Sequence, residues 1–187
     1  IWEGGPLTTL AWQLIRQVAL IALNAVFAWA EIAVSSAKDA RIAALAQEGN
    51  RRAIRLERLT NQPARFLATI QVAITLSGFL GSAFAADNFS EPLVAWIVGL
   101  GFEANRAVLD TVAVVLITLI LSYLTLIFGE LVPKRLAMKN AEKLALAVSG
   151  LVTFISIVFK PIVPLLTAST NGMLRLLRVN PDEDEEV

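Results

Sequence analysis

Apolar residues in this chain come in long blocks separated by short charged stretches, and that spacing sets the predicted elements. The first block runs from about residue 7 to 37, interrupted by Arg16, Asn24 and Glu31; the second runs from Phe66 to Ala86 and the third from Thr111 to Phe128. About twenty apolar residues carry a helix across the hydrocarbon of a bilayer. Each block is long enough, and spans are expected at about 10–37, 66–86 and 109–129. Uninterrupted blocks of this kind differ from the amphipathic periodicity of a water-soluble core. The expected fold is an all-α integral membrane protein with three transmembrane helices plus a juxtamembrane helical hairpin or belt.

Charge sets the expected orientation. Residues 38–65 carry Lys38, Arg41, Arg51, Arg52, Arg55, Arg58 and Arg65 against Asp39, Glu48 and Glu57, and a positive excess in a short loop places it in the cytoplasm. The next loop holds Asp87, Glu91, Glu103 and Asp110 against Arg106 and belongs outside; Lys134, Arg135, Lys139 and Lys143 return the chain to the cytoplasm. A multi-pass protein of the inner (plasma) membrane follows, with its N-terminus outside and its C-terminus cytoplasmic. In the basic loop Ile42, Leu45, Ile54 and Leu59 alternate with arginines, and Gly49 and Asn50 make a break. Two short helices lying near anionic headgroups fit this pattern, as does a solvated loop that only fixes orientation.

Residues 144–159 are apolar again but stop at Lys160, Pro161 and Pro164, and the following piece returns to Arg175 and Arg178. Basic residues at both ends favour a hairpin dipping into the inner leaflet over a fourth crossing, which the length still permits. Residues 1–178 form one transmembrane domain on this reading, with juxtamembrane helices over about 140–178. The acidic run from Asp182 to Glu186 reads as the start of a linker in 179–187, and Ile1 in first place reads as the start of a fragment.

Composition narrows the chemistry. Hydrophobic residues make up 56% of the 187 positions and mean hydropathy is +0.66. Without cysteine or histidine, thiolate and imidazole metal sites are excluded, and a metal would be a hard cation held by oxygen: Mg²⁺, Ca²⁺, Na⁺ or K⁺. The chain carries no HExxH, no serine–histidine pair and no aspartate within a span, so it is not expected to be an enzyme. No nucleic-acid partner is expected; lipid is.

Polar residues inside lipid-spanning helices are costly and mark interiors or ion paths. Asn24, Ala28, Glu31 and Ser35 share a face of the first span, with Ser36 beside it; Gln71, Thr75, Gly78 and Ser82 share one on the second, flanked by Ser77 and Gly81; Thr118, Ser122, Thr125 and Gly129 share one on the third. Helix packing is the favoured role for Ala28, Gly78, Thr118 and Ser122. A carboxylate packs poorly, and with no lysine or arginine inside the spans apart from Arg16 early in the first, a bound cation is the natural partner for Glu31 and Glu130. The most informative local feature is Gly129-Glu130-Leu131-Val132-Pro133-Lys134. Pro133 cannot donate to the carbonyl of Gly129, which is expected to be left free beside a carboxylate, the construction of broken-helix ion sites. The same hexapeptide also reads as a plain proline kink.

Three stretches carry a resemblance: EIAVSS from Glu31 to Ser36 with the basic segment after it, FLATIQVAITLSGFLGSAF from Phe66 to Phe84, and FGELVPKRLA from Phe128 to Ala137. In this order and spacing they resemble the transmembrane domain of the CorC/CNNM magnesium transporter family over about residues 10–178. The resemblance implies a homodimer of three-span subunits that transports Mg²⁺, with Na⁺ as a candidate coupling ion, and cytoplasmic CBS domains that would follow the linker. It places Ser36, Gln71, Thr75, Gly81, Ser82, Gly129 and Glu130 at matching motif positions. Ile74 stands where the family often has an asparagine before Thr75, and Ser77 or Ser82 would replace it. The resulting candidate ligand set is Ser35, Ser36, Gln71, Thr75, Ser77, Gly81, Ser82, Gly129 and Glu130, with Pro133 as the kink and Glu31 as a secondary charge. A non-transporting dimeric module that relays magnesium status is the alternative.

Overall fold

A computed structural model describes residues 5–102 and 104–179; Glu103 and the acidic run from Asp182 to Glu186 lie outside the described residues. In order the helices are α1 (Pro6–Ser36), α2 (Asp39–Gln47), α3 (Arg51–Thr60), α4 (Pro63–Gly99), α5 (Arg106–Leu124), a π-helical stretch (Thr125–Leu131), α6 (Val132–Lys139), α7 (Ala141–Val158) and α8 (Ile162–Leu176). No strand occurs among the described residues. Large apolar side chains such as Leu7, Val18, Phe79, Leu119 and Ile120 are exposed along the long helices, as befits a bundle whose solvent is lipid.

Among the described residues four helices are long and apolar enough to cross a membrane: Leu7–Ser36, Pro63–Gly99, Arg106–Lys139 and Ala141–Val158. That is one more than the three expected, because α7 adds a polar first turn to the apolar run at 144–159. The buried residues of α7, among them Ala145, Val148, Val152 and Ile155, belong to one core with Ala33 of α1, Ile42 of α2, Leu56 of α3 and Phe66 of α4. Its first turn meets α2 through Arg41 and Glu142 at 3.0 Å, and its last turns line a cavity with Arg58 and Arg65. Both ends therefore meet the same basic end of the bundle, and the helix lies along that end. After the turn at Phe159–Pro161, α8 packs on α4.

The second span is longer than its apolar block. Asp87 and Glu91 are expected in a loop, yet α4 continues through them and through Pro92 to Gly99, about 55 Å of helix against a hydrocarbon thickness of about 30 Å. Pro92 forfeits the bond to the Asn88 carbonyl. The helix persists because α5 packs alongside, burying Val94, Leu109 and Ala113 together. The turn between α4 and α5 uses Gly101 at φ +88°, a conformation side-chain-bearing residues avoid. Arg106 bridges Glu91 at 3.9 Å and Asp110 at 3.7 Å, all three exposed.

In the basic segment the chain breaks at Gly49, φ +85°, and Asn50 caps α3 by accepting from the amides of Arg52 and Ala53. The two short helices seal the basic end through Ile42, Ala53 and Leu56. Leu56→Ala is expected to lower the unfolding free energy by about 2–5 kcal/mol. Leu165→Ala on the exposed face of α8 should change it by less than about 0.5 kcal/mol. Thermal unfolding in mild detergent measures both, and equal shifts would contradict this core.

Candidate functional site

The register of α1 against α4 is fixed by two polar contacts. Gln13 Nε2 donates to Asn88 Oδ1 at 3.0 Å, and Ser77 Oγ donates to Asn24 Oδ1 at 2.9 Å. Asn24 lies eleven residues after Gln13, and Ser77 eleven before Asn88, so the helices run antiparallel without slippage. These contacts, with Gln17 and Glu31, draw a polar seam along the face of α1 that looks into the bundle. Positions 17, 24 and 31 are seven apart, close to two helical turns.

Asn24 is the centre of that seam. Its side chain is 1% exposed, its Nδ2 donates to the Gly129 carbonyl at 3.1 Å, and its Oδ1 takes the Ser77 hydroxyl. One amide thus joins α1, α4 and the π-helical stretch. The expectation of a free Gly129 carbonyl is corrected here: burial in lipid makes an unpaired carbonyl costly, and Asn24 pairs with it. Glycine at 129 makes the approach possible, since a Cβ there would stand 3.1 Å from Asn24 Nδ2 and 3.2 Å from Thr125 Cγ2.

The backbone around Gly129 is wound wide. The Val132 amide bonds to the Ile127 carbonyl, five residues back instead of four, and Pro133 follows in the first turn of α6. Proline supplies no amide hydrogen to hold the α register, and π-type windings of this kind recur at functional sites.

Glu31 also differs from expectation. Lys134 Nζ lies 2.9 Å from Glu31 Oε2, with the carboxylate side chain 18% and the lysine 32% exposed. Lys134 sits past the apolar block, but its four-carbon stem reaches back along α6 into the bundle. This is a charge contact more than a directed bond, because Glu31 Oε2 has no hydrogen-bond partner of good geometry. Glu130, half-buried, forms no ion pair among the described residues.

The remaining candidates divide by exposure. Ser77, Gly81 and Gly129 are buried and Ser82 is half-buried, whereas Ser35, Ser36, Gln71 and Thr75 are exposed on the single chain. Gln71 Nε2 donates to Thr75 Oγ1 at 3.3 Å along α4. Of the residues assigned to packing only Ala28 is fully buried; Thr118 and Gly78 are half-buried and Ser122 is exposed, and Gly78 meets no neighbour on its Cβ side. Ile74 is a core residue, and of the two serines near it Ser77 joins the seam. The residues that sequence reasoning missed are Gln13 and its partner Asn88, Gln17, and Lys134 as a partner of Glu31. Gln17 is 6% exposed, packs beside Gly81, and has neither Oε1 nor Nε2 paired. Its seven-residue spacing from Asn24 was the available signal.

Gly129→Ala is expected to cost about 1–3 kcal/mol by overpacking. Combining it with Asn24→Ala should cost less than the two losses added, because the amide that the methyl meets is gone. Detergent melts of the two single variants and the double variant measure this, and strict additivity would contradict the contact.

Among known sequences, a family model described as the Cyclin M transmembrane N-terminal domain matches residues 15–187. UPF0053 protein sll0260 of Synechocystis sp. is 34% identical over 164 residues, which cover 88% of this chain and 36% of that protein. The polyamine export protein of Haemophilus influenzae is 32% identical over 165 residues, 87% of this chain and 37% of that protein. The UPF0053 inner membrane protein YfjD of Escherichia coli is 28% identical over 160 residues, 86% of this chain and 34% of that protein. The chain spans about a third of the length of these relatives. Its apolar helical bundle and the match over nearly all of its length together establish a multi-pass membrane protein that belongs to the CNNM family.

Proposed function

We propose that this domain supplies the membrane path of a transporter whose cargo is Mg²⁺, with Na⁺ as the coupling ion, and that a second copy of the chain completes the path. The observation that carries the reading is the seam of Gln13, Gln17, Asn24 and Glu31 facing the bundle interior. Polar groups at that depth are expensive unless they serve a pathway. Every side-chain donor available is oxygen or amide, the set that suits a hard cation.

In this reading the Asn24 amide stands where a cation would. The Gly129 carbonyl, which accepts from Asn24 Nδ2, keeps a second lone pair, and the Ser77 hydroxyl, which donates to Asn24 Oδ1, keeps both of its own; a cation that displaces the whole Asn24 amide takes these two oxygens. Glu31 is neutralised by Lys134, so Glu130 supplies the negative charge. Gln17 adds an unpaired carbonyl oxygen two turns away. One carboxylate among neutral oxygens binds the ion while still permitting release.

Ser35, Ser36, Gln71 and Thr75 would be costly against acyl chains. A homodimer contact covers them and brings two such faces together, which makes Gln71, Thr75, Ser82 and Ser36 ligands from the dimer side. The basic end faces the cytoplasm by its positive charge, with the N-terminus outside and the C-terminus, leading to regulatory CBS domains, inside.

A second reading has a specific support. One relative is named as a polyamine export protein, and here a primary ammonium, that of Lys134, already sits on Glu31. A polyamine would make the same contact.

The intact protein in liposomes separates the cargoes. Mg²⁺ flux is expected in the wild type and should fall at least about tenfold in Glu130→Gln, the scale of losing a supporting group at a metal site. Spermidine flux without Mg²⁺ flux would move the cargo to the polyamine class. No flux of either would favour the relay module.

A further inference from the structure

At the basic end, away from the seam, a cavity of about 330 Å³ opens between α3, the first turns of α4 and the last turns of α7. Arg55, Arg58, Arg65 and Lys160 line it, and among the described residues no aspartate or glutamate does. Among the described residues none of these four cations forms an ion pair. Arg55 is seated by close packing, its Nη1 lying 3.5 Å from where a Gly150 Cβ would stand. Arg65 Nη1 donates weakly to Gln62 Oε1 at 3.4 Å. The hydroxyls of Thr69 and Thr153 are spent on the carbonyls of Arg65 and Ser149, while Ser156 in the same wall makes no hydrogen bond among the described residues. The floor is apolar, formed by Leu59, Phe66 and Ile157.

Four like charges from α3, α4 and the turn after α7, gathered with no counter-charge among the described residues, repel one another unless an anion joins them. Guanidinium groups match phosphate oxygens in pairs, and the ammonium of Lys160 adds a point charge. We infer that this cavity binds a phosphate-bearing anion, and that at this place in the fold the phosphate is the diester of an anionic phospholipid. Two features favour a lipid over a soluble phosphate. The cavity joins cations to an apolar floor, as a headgroup with its glycerol and first methylenes requires. Its one aromatic ring, Phe66, is 5% exposed and committed to the core, so no ring face is free to stack on a nucleobase. The site is independent of the cation path. Its occupant would pin α3 and α7 to the start of α4.

The test uses the intact protein in neutral detergent, with native mass spectrometry counting bound dioleoyl phosphatidylglycerol, dioleoyl phosphatidylcholine, inorganic phosphate and ATP in separate titrations. Phosphatidylglycerol should bind more tightly than phosphatidylcholine. Arg58→Gln with Arg65→Gln should weaken it about twenty-five-fold, on the order of fivefold for each cation removed. Arg51→Gln with Arg52→Gln, on the same helix but outside the cavity, should stay within about twofold. Lys160→Gln, in an exposed turn, should lose about fivefold and keeps the test decisive if the double variant does not fold. Tighter binding of phosphate or ATP, lost in the same variants, would support the phosphate site and reassign its source to a soluble ligand. Equal losses in the two double variants, or no preference for any anionic probe, would overturn the inference.

Discussion

Inside a bilayer a polar group has no water to turn to, so each buried amide, hydroxyl and carbonyl must find its partner within the protein. Asn24 meets that constraint for three helices at once. Its oxygen takes the proton of Ser77 on α4, and its nitrogen serves the Gly129 carbonyl where the third long helix widens. Interhelical hydrogen bonds in membranes are individually modest, about 0.6 kcal/mol on average. Their larger effect here is on register: with Gln13 and Asn88 bonded at the same offset, sliding α1 along α4 would break both contacts together.

The same constraint explains the arrangement of charge. Glu31 lies deep enough to need neutralising, and Lys134 does so from α6, beyond the proline that lets the helix rewind. Glu130, one residue from the hub carbonyl, keeps its charge uncompensated among the described residues. The bundle thus pairs one of these carboxylates and leaves the other without an ion pair among the described residues. At the basic end the balance reverses, with cations gathered around a cavity that no acid lines among the described residues.

Much of this was legible in the chain itself. The long apolar blocks announce the helices, and Gly49 with Asn50 marks the turn between α2 and α3, because block length and turn chemistry are local properties. The proline after Gly129 correctly signals a disturbed backbone. What the sequence does not show is where a freed carbonyl finds its donor: Asn24 stands 105 positions away, and only packing brings it near. Lys134 is hidden for a similar reason, since a flexible stem carries its charge back past the end of the apolar block. Asp87 and Glu91 mislead about α4 because a helix leaving the membrane tolerates the polar residues of a loop. Exposure is equally nonlocal, and the hydroxyls of Ser35, Ser36 and Thr75 face outward on one chain although their spacing matches that of Asn24.

The central claim is that a single asparagine side chain ties the three long helices together. Electron cryo-microscopy of the intact protein in Mg²⁺-free lipid nanodiscs tests it directly. The account predicts side-chain density placing Asn24 Nδ2 within hydrogen-bond distance of the Gly129 carbonyl and Ser77 Oγ on Asn24 Oδ1. Asn24 turned toward lipid, with Ser77 and Gly129 bonded elsewhere, would contradict it.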